Sequence, residues 1–294
     1  MSHPSEHNPH IVPREKLDFG LDQAIPKYWL GGDAFKTRLF DAMSTIFPEG
    51  ERFFISCVRD FRDQVTDPHL KREIKDFIRQ EGQHGIIHNQ FNEHLRQQGI
   101  NVDRLERATR DWLFEFLRKH LPRKHTLAIT AASEHLTAIM AEAMFERRDV
   151  MGAADPRMFA MYAWHAMEEM EHKAVAYDVM QKVAGVGYLR RVITLLEVTF
   201  FFNLRMLSYT NYMLRKDRFS RWERAKLFAK GMWWLYGYQG LFSSCWRAYL
   251  RYYKPGYHPW QEPPVASYGV WLDTFNRTGD PVEAGRVVYK SALV

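Results

Sequence analysis

Only two cysteines, Cys57 and Cys245, occur in the 294 residues, each inside an apolar, aromatic stretch. This excludes a disulfide framework or a thiolate metal cluster and reads as reduced core thiols. Any metal must therefore be held by nitrogen and oxygen. No convincing run of alternating β-branched residues appears and few glycines interrupt the periodic stretches, so a β-rich fold is excluded. The first dozen residues, MSHPSEHNPHIV, lack the basic and apolar regions of a secretory signal, and cytoplasmic residence is the expectation. His3, His7 and His10 in that stretch read as part of a disordered tail. No nucleic-acid-binding motif is found, so nucleic acid is not expected as a partner.

Apolar residues make up 46% of the chain, enough for a substantial core. The formal charge of +6 is unevenly spread. Residues 1–187 carry 25 basic and 28 acidic groups, whereas residues 188–254 carry 13 basic and three acidic groups, a local net of +10. An acidic part rich in Glu and His is thus followed by a basic part rich in Trp, Tyr and Phe.

Helical periodicity recurs through most of the chain, and the fold class is all-α. Gly31-Gly32 precedes the first helix, Pro48 separates it from the second, and Asp67-Pro68 opens the third as N-cap and first helical position. The third runs over about 68–98 and stops at Gly99. Further helices are expected at 102–120, 124–150, 155–184, 187–216 and 220–253, with Asp155-Pro156 repeating the Asp-Pro start. The division is an extended segment over 1–32, a helical domain over 33–254 and an irregular tail over 255–294.

Carboxylates and histidines on these helices form one arrangement used twice. Glu51 precedes Glu81-x-x-His84, and Glu134 precedes Glu169-x-x-His172. Spacings of 30 and 35 residues place each Glu level with its Glu-x-x-His across an antiparallel helix pair, at about 1.5 Å rise per residue. The 53 residues from Glu81 to Glu134 suit a long crossover between two helix pairs.

This pattern resembles the ferritin-like di-metal carboxylate proteins over roughly residues 35–184. The resemblance implies a four-helix bundle with additional C-terminal helices. It also implies a site in which Glu51 and Glu134 are single carboxylates and Glu81/His84 and Glu169/His172 are paired ligands. Four carboxylates would neutralise two divalent ions; oxygen-rich ligation with some nitrogen suits Fe first, with Mn or Zn as alternatives. The combination EGQHxxxHN, EEMEHKxxAYDV and GYHPW is also similar to a bacterial family described as predicted metal-dependent hydrolases. That similarity implies metal dependence and hydrolysis.

Other residues have less determined roles. His88 follows Glu81 by seven residues and His165 precedes His172 by seven, so each returns to the site face about 10 Å along the axis. Additional ligand, orienting group and ordinary packing all stay open for them. Glu168 and Glu171 read as the solvated remainder of EEMEH, His135 as unrelated, and Tyr162 as a core tyrosine. Val192–Leu214 is largely apolar and about 34 Å long as a helix. The basic aromatic segment 188–254 reads as a cover that encloses a substrate cavity. The alternative is peripheral contact with an anionic membrane surface, at the inner membrane. A homodimer is compatible with the pattern.

The expectation is an enzyme with two divalent metal ions acting on a small organic substrate, by oxygen activation or by metal-dependent hydrolysis. Its catalytic residues are not readable from the sequence. The competing reading is a non-catalytic metal-binding or membrane-surface-associated helical protein.

Overall fold

Helix starts and stops follow the local chemistry. In this computed structural model, which describes residues 9–146 and 148–291, α1 spans Ala34–Arg59 and α2 spans Pro68–Gln97. His3 and His7 lie outside the described residues. Asp33 caps α1 by accepting from Lys36 N, and Asp67 caps α2 by accepting from His69 N, with Pro68 where no intrahelical N–H is needed. Gly99, at φ +83°, lets α2 end in a Schellman motif, with Gly99 N on Arg96 O and Ile100 N on Leu95 O.

The crossover begins with α3 (Val102–Arg110), widens into a π-helical stretch at Asp111–Leu117 and closes with Arg118–His120. Then follow α4 (Arg123–Glu146), α5 (Pro156–His172), α6 (Tyr188–Lys216) and α7 (Arg221–Tyr236). The architecture is all-α, and no strand occurs among the described residues.

Four helices close a ring in which α1 touches α2 and α4, and α5 touches α2 and α4. Arg38 meets Gln98 and Ser44 meets Asn92, so α1 and α2 are antiparallel. Likewise Gln80 meets Glu171 and His88 meets His165, making α2 and α5 antiparallel. The crossover runs the length of the ring, from the Arg38–Gln98 end to the end where Arg118 pairs with Asp60. Helix α6 covers the α1/α4 side, and Arg38 holds the end of α6 through Asp217 at 2.8 Å.

Two apolar cores fill opposite ends of the ring. One contains Phe40, Phe91, Tyr162 and Trp164; the other contains Val58, Phe77, Leu127 and Tyr177. The predicted ligand positions lie between them.

Several sequence expectations require correction. Pro48 does not end a helix: α1 runs straight through it. Proline cannot donate to the carbonyl four residues back. Here that carbonyl, Ser44 O, accepts instead from Asn92 Nδ2 of α2 at 3.1 Å. The expected 155–184 helix breaks after His172 and resumes at Val175–Asp178, followed by a π turn. The expected 220–253 helix ends at Tyr236, and two short helices follow.

The tail is not irregular, because α8 (Ser267–Thr278) and α9 (Pro281–Ser291) form there. Helix α9 packs on α5. A Cβ on Gly285 would stand 2.8 Å from Ala160 Cα, so glycine permits that close approach.

Candidate metal centre

Helix register places the two Glu-x-x-His motifs face to face. Ligand atoms of Glu81, His84, Glu169 and His172 lie within 4.8 Å of one another, all buried. A second buried group combines Glu51 with His88 and His165. Glu134 stands beside the first group, with Oε2 3.0 Å from His172 Nδ1. Gly85 makes room for Glu51, since a Cβ there would meet Glu51 Oε2 at 3.3 Å.

The donor set fits metal ions. Buried polar atoms normally find partners. Yet both carboxylate oxygens of Glu51 and of Glu81, Glu134 Oε1, His84 Nδ1 and His172 Nε2 are buried with no hydrogen-bond partner among the described residues. Burial, the Glu169 charge and the Glu134 charge push Glu51 well above the carboxylate range, and burial with Glu134 and Glu169 does the same to Glu81. Burial and Glu169 raise Glu134 to about 7. Burial would also raise Glu169, but His172, His165 and Thr137 outweigh it and hold that carboxyl below its usual value. Burial opposes a charge on His172, whereas Glu169 and Glu134 prevail and raise it to about 9. Such shifts express the cost of crowding carboxylates away from water, on the order of several kcal/mol per ion. Divalent cations would remove that conflict.

Proton counting separates the roles of His88 and His165. Asn92 Nδ2 donates to Ser44 O, so Asn92 Oδ1 is the acceptor for the Ser44 hydroxyl at 2.9 Å. Ser44 Oγ then accepts from His88 Nδ1 at 2.9 Å. His88 Nε2, left with a lone pair, accepts from His165 Nδ1 at 2.8 Å. With His165 neutral its Nε2 carries the lone pair, and with His165 protonated it donates to Glu169 Oε1 at 3.1 Å. Two electron-pair donors at that distance need a proton or a cation between them. Both nitrogens of His88 are occupied, so it orients His165, while His165 faces the site and Glu169 through Nε2.

The residues expected to be solvated are not. Glu168 and Glu171 are fully buried and paired with Arg14 at 3.0 and 2.7 Å. Glu168 Oε2 lies 3.1 Å from His84 Nε2, leaving His84 Nδ1 to face Glu169. Burial pushes Glu168 up to about 8 while Arg14 pulls it down, and a cation at Nδ1 would settle their shared proton on Nε2. Arg14 carried no signal in the sequence. His135 stacks on Tyr252, and Tyr162 donates to Phe40 O within the core. Two distant motifs also meet: Tyr177 donates to Tyr257 O, and His258 pairs with Asp178 at 3.0 Å.

A cavity of about 350 Å³ adjoins the ligands, with Glu51, His165 and Glu169 in its lining. Its other walls come largely from α1, the π-helical stretch, α4 and α6. The model of the predicted metal-dependent hydrolases matches residues 13–263. The chain belongs to that family. No curated protein and no solved structure matches it. In this predicted metal-dependent hydrolase the matched span takes in Arg14, both ligand groups and the GYHPW motif, which supports metal dependence from an independent direction.

Proposed function

We propose that the protein is a dinuclear metal-dependent enzyme acting on an apolar organic substrate. The observation that carries this reading is that Glu51, His165 and Glu169 belong both to the buried candidate metal-ligating groups and to the cavity wall. Glu81, His84, Glu169 and His172 would hold one ion. Glu51 and His165 would hold the other, with Glu134 orienting His172. Bound divalent ions supply a Lewis acid for a substrate oxygen and a water of lowered pKa.

Hydrolysis of an ester or amide is the first reaction class, supported by the family description. Among the described residues, the serine and threonine hydroxyls of the cavity wall are those of Thr109, Ser133 and Thr137, and Thr109 donates to Leu105 O at 3.1 Å. Ser133 donates to Ile129 O at 3.0 Å, and Thr137 donates to Glu169. Water activated at the metal ions is the proposed attacking group. Oxidation of the substrate with iron and dioxygen is the second class, favoured by the carboxylate-rich donor set and the aromatic cavity wall. Metal analysis of protein purified without added metal decides the stoichiometry. Oxygen-independent turnover of an ester panel with Zn or Mn supports hydrolysis. Oxygen-dependent visible absorption after anaerobic Fe(II) loading supports oxidation, and failure to bind metal overturns both.

We also infer that the outer face of α6 rests on an anionic membrane surface. Leu189, Ile193, Leu196, Phe200 and Leu204 are exposed in one stripe. By length and composition α6 could cross a bilayer, but its other face packs on α1 and α4. The net charge of +10 over 188–254 complements anionic lipid. Flotation with phosphatidylglycerol vesicles, lost in the Leu196→Glu/Phe200→Glu variant, supports the inference. Equal flotation of both proteins, or a dimer that dissociates in that variant, overturns it.

A further inference from the structure

Among the described residues of the cavity wall Arg205 is the one Lys or Arg, and no described carboxylate stands at salt-bridge distance from it. The cavity surface is largely apolar, with Phe47 and Phe54 of α1, Trp112 and Phe116 of the π-helical stretch, and Phe201 and Phe202 of α6 in the wall. Two charged side chains reach it from α6, Glu197 and Arg205, about 12 Å apart along the helix. Glu197 is engaged by His125 Nε2 at 2.8 Å. Arg205 donates through Nη1 to Tyr209 Oη at 2.9 Å and meets no carboxylate at salt-bridge distance among the described residues. Tyr209 in turn donates to Leu105 O at 2.8 Å, which ties this cation to the crossover.

A guanidinium carries five donors in a planar fork suited to a carboxylate. Placed in an apolar wall, it gains from an anion that claims the remaining donors. Pockets of this size and character bury apolar ligands and orient them with a few polar groups.

We propose that the cavity binds an amphiphilic monoanion, a long apolar chain ending in a carboxylate, with the carboxylate on Arg205. Glu51 and Glu169 line the same cavity as Arg205, so a ligand anchored there shares its space with the metal-ligand candidates. This narrows the substrate class of the metal-dependent enzyme proposed above and rests on that reading.

The test uses the full-length protein as purified, titrated with sodium decanoate and with 1-decanol, followed by calorimetry and tryptophan emission. Decanoate is expected to bind at one molecule per chain and 1-decanol on the order of tenfold more weakly, the scale of one charge-assisted hydrogen-bonded contact. Arg205→Met should weaken decanoate by a similar factor and leave 1-decanol unchanged, Arg205→Lys should retain part of the preference, and Val198→Trp should obstruct both ligands. Melting curves check that each variant is folded. Equal affinity for the two ligands, an unchanged decanoate affinity in Arg205→Met, or no binding overturns the assignment. Metal content is measured on the same samples. Full metal content without decanoate binding rejects the amphiphile site alone, and decanoate binding without metal rejects the metal-enzyme reading alone.

Discussion

Glu168 holds the Nε2 edge of His84 at 3.1 Å while Arg14, 154 positions earlier in the chain, holds Glu168 at 3.0 Å. A residue of the N-terminal segment thus acts on a metal-ligand candidate through one intervening carboxylate. Substituting Glu168 by Ala should lower metal affinity roughly 10–100-fold, the range for groups that orient ligating histidines. Glu168→Gln, which keeps an acceptor, should lose less. Arg14→Met would leave two buried carboxylates uncompensated and should destabilise the fold by about 3–5 kcal/mol. Metal titration and urea unfolding separate the two effects.

His165 and Ser44 should differ in kind. His165→Ala removes the nitrogen that faces Glu169 and is expected to reduce bound metal from two ions per chain to one. Ser44→Ala only releases His88, so stoichiometry should persist with affinity about tenfold lower. Elemental analysis across a metal titration reads both. Glu81→Ala and Glu169→Ala should each lower metal content.

Helix α7 leans on α1 at Gly231, where a Cβ would fall 2.2 Å from Phe35 Cε1. Gly231→Ala should cost about 1–3 kcal/mol through overpacking. Gly269, inside α8, has open space where its Cβ would go. Gly269→Ala should therefore stabilise by up to about 1 kcal/mol through helix propensity. Thermal melts of the two variants should shift in opposite directions.

Asp178 ties the segment after α5 to the GYHPW motif. Burial alone would raise its carboxyl, but hydrogen bonds from His258 and Lys182 and their charges outweigh burial and hold it below the ordinary value. Between the folded and unfolded pKa values the unfolded chain binds more protons. The stabilisation is therefore complete above about pH 4 and is lost as pH falls through the lowered folded value. Asp178→Asn should be less stable than the parent by about 1.5–3 kcal/mol at pH 7, with the gap closing toward pH 3. Urea unfolding at both pH values checks this.

Local chemistry in the sequence was enough to read the all-α class, the Asp67-Pro68 and Asp155-Pro156 starts and the stop at Gly99, because caps and breakers act on their own few residues. It also supplied the Glu81-x-x-His84 and Glu169-x-x-His172 motifs, since a three-residue spacing puts two side chains on one helix face in any context. Pro48 reads as a breaker in the sequence, yet its missing hydrogen bond is compensated by Asn92, a residue on another helix. Glu168 and Glu171 looked solvated because helical spacing says which way a side chain points and nothing about what covers it. Arg14 covers them. The separate roles of His88 and His165 likewise depend on a chain of hydrogen bonds through Ser44 and Asn92, and the Arg205 cavity forms only where α1, α4, α6 and the crossover come together. These features arise from contacts between distant segments, whose partners no periodicity names, whereas helices and ligand spacing arise from neighbours along the chain.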